Sequence, residues 1–78
     1  MRLYDADAKQ KLSIIQILDE SLDKRLKDFG FKSETKMVVL SKTKQMFLVK
    51  VNNSVFAINE ALAKLISVKI DSFQGGYK

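Results

Sequence analysis

Apolar residues occur along this chain in short runs, and these runs predict about five β-strands. The runs cover residues 11–18, 35–41, 45–51, 54–58 and 67–70. They are rich in Val, Ile, Leu and Phe and are bounded by polar residues, as is typical of partly buried strands. The first run has apolar residues at adjacent positions, which predicts either burial on both faces or a β-bulge.

Two polar segments predict hairpin turns that join the middle three strands. Lys42-Thr43-Lys44 separates the second and third runs. Asn52-Asn53 separates the third and fourth runs, and two asparagines are a good signal for a two-residue hairpin because Asn tolerates positive φ.

Two short helices interrupt the strands. In the second, over residues 60–66, Asn59 is placed as the N-cap, and Leu62, Leu65 and Ile66 fall on one face. In the first helix Ser21 is the predicted N-cap. Its buried stripe is expected to consist of Leu22, Leu26 and Phe29.

The segment "KRLKDFGF", residues 24–31, ends this first helix on a glycine between two phenylalanines. Gly30 is expected to take the left-handed conformation that ends a helix, and Phe31 to fold back towards Leu26. Leu26, Phe29, Gly30 and Phe31 together are therefore interpreted as a helix cap and apolar clasp that closes one end of the domain.

The order strand, helix, three-strand meander, helix, strand predicts a fold that is mostly β with two short helices. A closed, highly curved barrel is favoured because it leaves fewer exposed strand edges than an open sheet. At 78 residues the chain is expected to form a single domain over residues 1–71. Residues 72–78 lose the periodicity and carry Gly75-Gly76, which predicts a flexible tail.

The residue types argue against catalysis, cofactors and metal binding. The chain has no histidine and no cysteine, which excludes nucleophile–histidine arrangements and the ligands that best suit Fe²⁺. The acidic pairs Asp5/Asp7 and Asp19/Glu20 have no accompanying motif, and no glycine-rich phosphate loop is present. We expect no enzyme activity, no cofactor and no metal site. The apolar run 12–18 is too short to span a bilayer, so we expect a soluble, cytoplasmic protein.

The net charge of +5 is concentrated in one part of the chain. Residues 31–50 carry five lysines against Glu34 alone. Such a surplus can attract phosphate, anionic lipid or an acidic protein surface, but lysines also keep exposed strands soluble. We favour the second interpretation, because no arginine or exposed aromatic residue is interleaved to recognise bases.

Three blocks of this sequence resemble the family of ferrous iron transport protein A, FeoA, which has an SH3-like barrel. The blocks are "MRLYDADAKQKLSIIQI", "KRLKDFGF" and "VKVNNSVFAINEALAKLISVKI". The second is similar to the family's pattern of arginine-leucine followed by apolar-glycine-apolar. The chain departs from the family where Ser33-Glu34 replaces a proline-glycine turn and where Asn52 replaces a glycine. Asn59 and Leu62 replace an arginine and a glutamate of the family.

The resemblance implies a small accessory protein that docks on the cytoplasmic G-protein part of the membrane iron transporter FeoB and modulates it. It would then lie in the cytoplasm, held at the inner face of the membrane by the transporter and not inserted itself. We expect Lys24, Arg25 and Lys27 on the first helix to contact this partner.

Two alternatives belong to other functional classes. In the first, the chain is a basic SH3-like module that binds nucleic acid or serves as an accessory domain of a metal-dependent regulator. The lysines of residues 31–50 would then contact phosphates. We consider nucleic-acid binding the less favoured reading. The second alternative is weak self-association through an exposed strand edge.

Overall fold

The structure is a computed structural model that describes residues 1–71, so the predicted tail over residues 72–78 lies outside the described residues. Its five strands are β1 (Lys11–Ile17), β2 (Lys36–Lys42), β3 (Met46–Val51), β4 (Ser54–Asn59) and β5 (Ile66–Ile70). The two α-helices are α1 (Glu20–Lys27) and α2 (Glu60–Ala63), and a 3-10 turn covers Leu3–Asp5.

The strands form one antiparallel sheet in the order β4-β3-β2-β1-β5. β2, β3 and β4 are consecutive hairpins, and β5 returns to pair with β1 on its other side. Beyond β5, Arg2 makes an isolated bridge to Ser67. The prediction of a mostly β fold with five strands and two short helices is therefore confirmed.

Two strands carry irregularities that bend the sheet. The register of β1 against β5 shifts between Ile14 and Gln16, and residues 12–14 are all buried, so β1 has both features that were predicted as alternatives, a bulge and burial on both faces. The register of β2 against β3 shifts between Val39 and Ser41. Bulges bend a strand and increase its twist, so both favour the tight curvature that a sheet this small needs to enclose a core.

The core fills the concave side of the sheet, and it consists of alternate residues of the strands together with a few side chains from the connections. In β3, Phe47, Val49 and Val51 are fully buried, whereas the residues between them are exposed. The 3-10 turn contributes Leu3 and the residue after it, Ala6, both fully buried. The sequence of this opening segment predicts no helix or strand, because its apolar residues follow neither the helical nor the strand period.

The second helix is shorter than predicted. Asn59 is its N-cap, as predicted, and its side-chain oxygen accepts a hydrogen bond from the Leu62 N–H at 2.8 Å. The helix ends at Ala63, and Ile66 already belongs to β5, where it pairs with Ile17. As a residue of β5, Ile66 is fully buried in the core.

Four residues take positive φ without being glycine, and one of them is Lys9, with φ of 70°. Asn52 and Asn53 have φ of 51° and 69°, which confirms the predicted two-residue hairpin. Glu34 has φ of 72°. Both Glu34 and Asn52 stand where the resembled family has glycine, so this chain keeps the left-handed turns with residues that have side chains.

Candidate partner-binding surface

The N-cap of α1 is Asp19 and not Ser21, so the predicted N-cap is wrong. The Asp19 carboxylate accepts hydrogen bonds from the Leu22 N–H and from the Ser21 hydroxyl, each at 3.1 Å. The Leu22 N–H, and then the Ser21 hydroxyl, lower the pKa of Asp19 below its ordinary value, because both favour the ionised carboxylate. Ser21 thus supports the cap and does not form it.

The inner face of α1 packs on the domain through Leu22 and Leu26, which are partly buried against the core. The three basic residues expected at the partner contact, Lys24, Arg25 and Lys27, are all exposed. The structure therefore brings them together on one short element at the surface.

The helix ends in the hydrogen-bond pattern of a Schellman motif. The Gly30 N–H donates to the Lys27 carbonyl and the Phe31 N–H to the Leu26 carbonyl, both at 3.0 Å, while Gly30 has φ of +95°. Phe31 is 1% exposed, and its ring lies edge-on to Phe56 with 5.0 Å between centroids. This end of the helix is thus fixed by backbone geometry and by one buried ring.

Phe29 does not lie in the core, which corrects the predicted buried stripe. Its side chain is 59% exposed and touches the domain through an edge contact to Phe56, with 6.2 Å between ring centroids. The reason is that the chain turns at Gly30 and directs Phe31 inward, so Phe29 is left on the outer side of the turn. A helical stripe drawn from sequence cannot show this, because the stripe assumes that regular helix continues to residue 29.

Arg25 and Phe29 are both exposed and lie four residues apart, Arg25 in the last turn of α1 and Phe29 in the turn that follows it. We call Lys24, Arg25, Lys27 and Phe29 together the cap surface. Lys27 is paired with Asp23 at 3.2 Å, whereas Lys24 and Arg25 have no ion pair within residues 1–71. The position of these cations in the last turn of α1 also complements the helix dipole.

The lysines of residues 31–50 do not form one basic face. Lys36 and Lys50 line a cavity beside β1, whereas Lys42 and Lys44 line a second cavity near Tyr4. The Lys42 ammonium donates to the Ala6 carbonyl at 2.6 Å and lies 5.5 Å from the centroid of the Phe47 ring. This lysine is therefore engaged within the domain.

Two further structural features bear on function. No group of three or more His, Cys, Asp or Glu side chains within residues 1–71 is arranged to hold a metal ion. Over the same residues, none of the helices has the length and apolar character needed to cross a membrane.

These features define a small, single-sheet antiparallel β domain with two short helices. The model of the FeoA domain family matches residues 1–70 of this chain. The chain therefore belongs to the FeoA domain family, which is not known as a family of enzymes.

Solved structures of similar proteins share the fold. A FeoA-like protein from Clostridium acetobutylicum superposes with a TM-score of 0.81 at 17% identity, over 100% of this chain and 93% of its own. FeoA of Stenotrophomonas maltophilia, solved in complex with zinc and described as an SH3 domain protein, gives 0.79 at 21% identity, over 88% of this chain and 89% of its own. The fold is thus an SH3-like barrel.

The same fold also occurs as part of a longer protein. A manganese-dependent transcriptional repressor superposes with a TM-score of 0.78 at 15% identity, and the match covers 87% of this chain but 39% of the repressor. At these identities the likeness concerns the fold alone. No curated protein matched the chain.

Proposed function

We propose that this chain is an accessory protein of ferrous iron uptake, which docks on the cytoplasmic G-protein part of the transporter FeoB. Membership of the FeoA domain family supports this role. The Stenotrophomonas maltophilia relative is itself described as a candidate ferrous iron transport activating factor. On this proposal the protein works in the cytoplasm and reaches the membrane only through the transporter.

The observation that supports docking best is the pair of Arg25 and Phe29 on the cap surface. Phe29 is 59% exposed, and it is the aromatic member of the large apolar side chains exposed on the described part of the domain. Arginine and aromatic residues are enriched at protein interfaces, where a few such side chains contribute most of the binding energy. Phe29 would fill an apolar pocket of the partner, and Arg25 would bind a carboxylate at its rim.

Docking would act on the transporter by a shift of its conformational equilibrium. A partner that binds one state of the G-protein part more tightly than the other increases the population of that state. The rigid end of α1, fixed by Gly30 and the buried Phe31, would present Phe29 without a large cost in conformational entropy. Binding should therefore depend on the nucleotide state of the transporter.

A titration of the protein against the G domain of FeoB, with and without guanine nucleotide and at two salt concentrations, tests the proposal. Arg25→Ala and Phe29→Ala should each weaken binding by about tenfold or more, which corresponds to about 1.4 kcal/mol. Lys44→Ala and Met46→Ala are the matched controls, since both side chains are exposed at the β2–β3 hairpin, away from the cap surface.

Either of two results would contradict the proposal. One is saturable binding to the G domain that all four variants retain, which would contradict the cap surface as the contact and place the contact elsewhere on the domain. The other is an absence of binding to the G domain together with salt-sensitive binding to a duplex DNA control, which would favour the nucleic-acid reading.

A further inference from the structure

A surface cavity of about 410 Å³ is lined by residues of β1, β2 and β3, of the β3–β4 turn and of the segment after β5. It is lined by three lysines, two asparagines, three apolar residues and one acid: Lys11, Lys36, Lys50, Asn52, Asn53, Leu12, Met37, Val38 and Asp71. We call it the lysine cavity. Its lining carries three cations against one carboxylate.

The strand register places two of these lysines on either side of one apolar residue. Lys11 of β1 is directly opposite Val38 of β2, and Val38 is directly opposite Lys50 of β3. Directly opposite residues of antiparallel strands point to the same face of a sheet. Each Cα–Cα step across such a pair is about 5 Å, so the two lysine Cα atoms lie about 10 Å apart.

The third lysine differs from these two because its charge is already compensated. The Lys36 ammonium is 3.2 Å from the Asp71 carboxylate and 3.4 Å from the buried Ser13 hydroxyl. Neither Lys11 nor Lys50 has an ion pair within residues 1–71, whereas Lys27, Lys64 and Lys69 elsewhere on the surface are paired. Lys11 and Lys50 therefore repel each other across Val38 without a compensating anion.

The walls of the lysine cavity add hydrogen-bond donors and an apolar floor. Asn52 and Asn53 line one side, at the β3–β4 turn, and an amide side chain carries two N–H donors. The partly buried Val38 supplies the apolar part, because Leu12 and Met37 point into the core from the opposite face of the strands. A ligand that fits this lining carries an anionic group and a part that contacts apolar side chains.

We propose that the lysine cavity binds a phosphate-bearing ligand, with Lys11 and Lys50 holding the phosphate oxygens and Asn53 donating beside them. Phosphate fits better than a carboxylate, because it carries more than one charge and has oxygens directed to several sides. It can therefore accept from two ammonium groups that approach from different strands. The non-phosphate part of the ligand would rest on Val38.

Inorganic pyrophosphate is the probe that tests this site, with ¹⁵N-labelled protein followed by NMR at constant ionic strength. The expected result is saturable shifts confined to the amides of Lys11, Val38, Lys50 and Asn53. Lys11→Gln with Lys50→Gln should weaken the affinity by about tenfold or more, since two charge-assisted contacts are lost. Lys32→Gln, which removes one exposed lysine outside the cavity, should leave the affinity unchanged.

Shifts that are unsaturable, or that extend to Lys24 and Arg25 as strongly as to the cavity, would overturn the proposal, because they indicate general counterion attraction. An affinity that the double variant retains would overturn it too. All the exchanged lysines are exposed, so the variants should remain folded, and the unchanged methyl spectrum of the core will verify this.

A second arm distinguishes a soluble ligand from a lipid headgroup. Vesicles of phosphatidylcholine with and without phosphatidylglycerol are sedimented with the protein. Retention on the anionic vesicles that pyrophosphate reverses, and that the double variant lacks, assigns the site to a lipid phosphate. Binding of pyrophosphate without retention on vesicles assigns it to a soluble phosphate.

Discussion

The side-chain amide nitrogen of Asn52 lies 2.6 Å from the point that a Cβ atom on Gly30 would occupy. The two residues belong to different parts of the fold, the β3–β4 turn and the end of α1. Glycine is required here by the φ of +95°, and a Cβ atom would in addition displace the end of the exposed Asn52 side chain. The left-handed backbone explains why the helix ends on a glycine. The proximity of Asn52 places this end of the helix beside the β3–β4 turn.

Gly30→Ala should lower the free energy of unfolding by at least about 1 kcal/mol, because alanine is disfavoured at positive φ. The clash with the Asn52 amide should add to this cost. Urea denaturation followed by circular dichroism measures the change. The variant should nevertheless keep the fold, since the core residues are untouched.

A double variant separates the two causes. Gly30→Ala with Asn52→Gly removes the amide but keeps a residue that tolerates the φ of 51° at position 52. Its free energy of unfolding should be higher than that of the single variant Gly30→Ala, and the difference is the part of the cost that comes from the clash. If the two variants unfold at the same urea concentration, the contact between residues 30 and 52 has no energetic weight.

The two phenylalanines that flank Gly30 should respond oppositely to truncation. Phe31→Ala should cost about 3–5 kcal/mol of stability, because it empties a site that is 1% exposed. Phe29→Ala should change stability far less, since that side chain is 59% exposed, and should act on partner binding instead. Thermal unfolding of both variants, beside the G-domain titration, gives the comparison. Equal losses of stability would mean that Phe29 belongs to the core after all.

Asp19→Ala should destabilise the domain more than Ser21→Ala does. The carboxylate caps α1 by accepting from the Leu22 N–H, whereas Ser21 only donates to that carboxylate. The midpoints of thermal unfolding, Tm, of the two variants at neutral pH decide between the caps. A larger loss on removal of the Ser21 hydroxyl would restore the assignment made from the sequence.

The contribution of Asp19 should also depend on pH in a defined direction. Its pKa is lowered in the folded state, so its stabilising effect is fully present above the ordinary pKa of an aspartate. The effect is lost as the pH falls through the lowered pKa, where the folded state also takes up the proton. The difference in Tm between the wild type and Asp19→Ala should accordingly shrink in acid. A difference that stays constant down to low pH would show that the charge of Asp19 is irrelevant.

Removal of divalent metal should leave the stability of the domain unchanged. The side chains of residues 1–71 form no group of three or more His, Cys, Asp or Glu that could hold an ion. Carboxylates without such grouping bind transition metals weakly. Tm measured before and after dialysis against EDTA tests this, and re-addition of Zn²⁺ or Fe²⁺ is the control. A lower Tm in EDTA that metal restores would reveal a site that the sequence and the fold do not indicate.

Local patterns in the sequence were enough to predict the features that depend on near neighbours along the chain. The turn at Asn52-Asn53, the N-cap at Asn59 and the bulge in β1 were all predicted and are present. Each depends on backbone preferences of one or two residue types or on a run of apolar positions. The family blocks were likewise visible, since their order and spacing are properties of the sequence.

The structure differs from the sequence-based predictions where two neighbouring residues are both suited to one structural role. Asp19 and Ser21 are both good N-caps, and the end of β1 decides that α1 starts at the first of them. Phe29 and Phe31 are both apolar and flank the same glycine, and only the direction of the chain after Gly30 places one ring inside. Single-residue preferences are too similar to resolve either choice.

The sequence by itself determined the class of fold, the strands, the turns and the absence of imidazole and thiolate chemistry, because these follow from residue types and periodicity. Only the tertiary structure decided which surfaces exist. It exposed Phe29 against the edge of Phe56, set Asn52 against Gly30, and placed Lys11 and Lys50 on either side of Val38. Such juxtapositions join residues that are distant along the chain, and they are set by the register of the strands and the packing of the core.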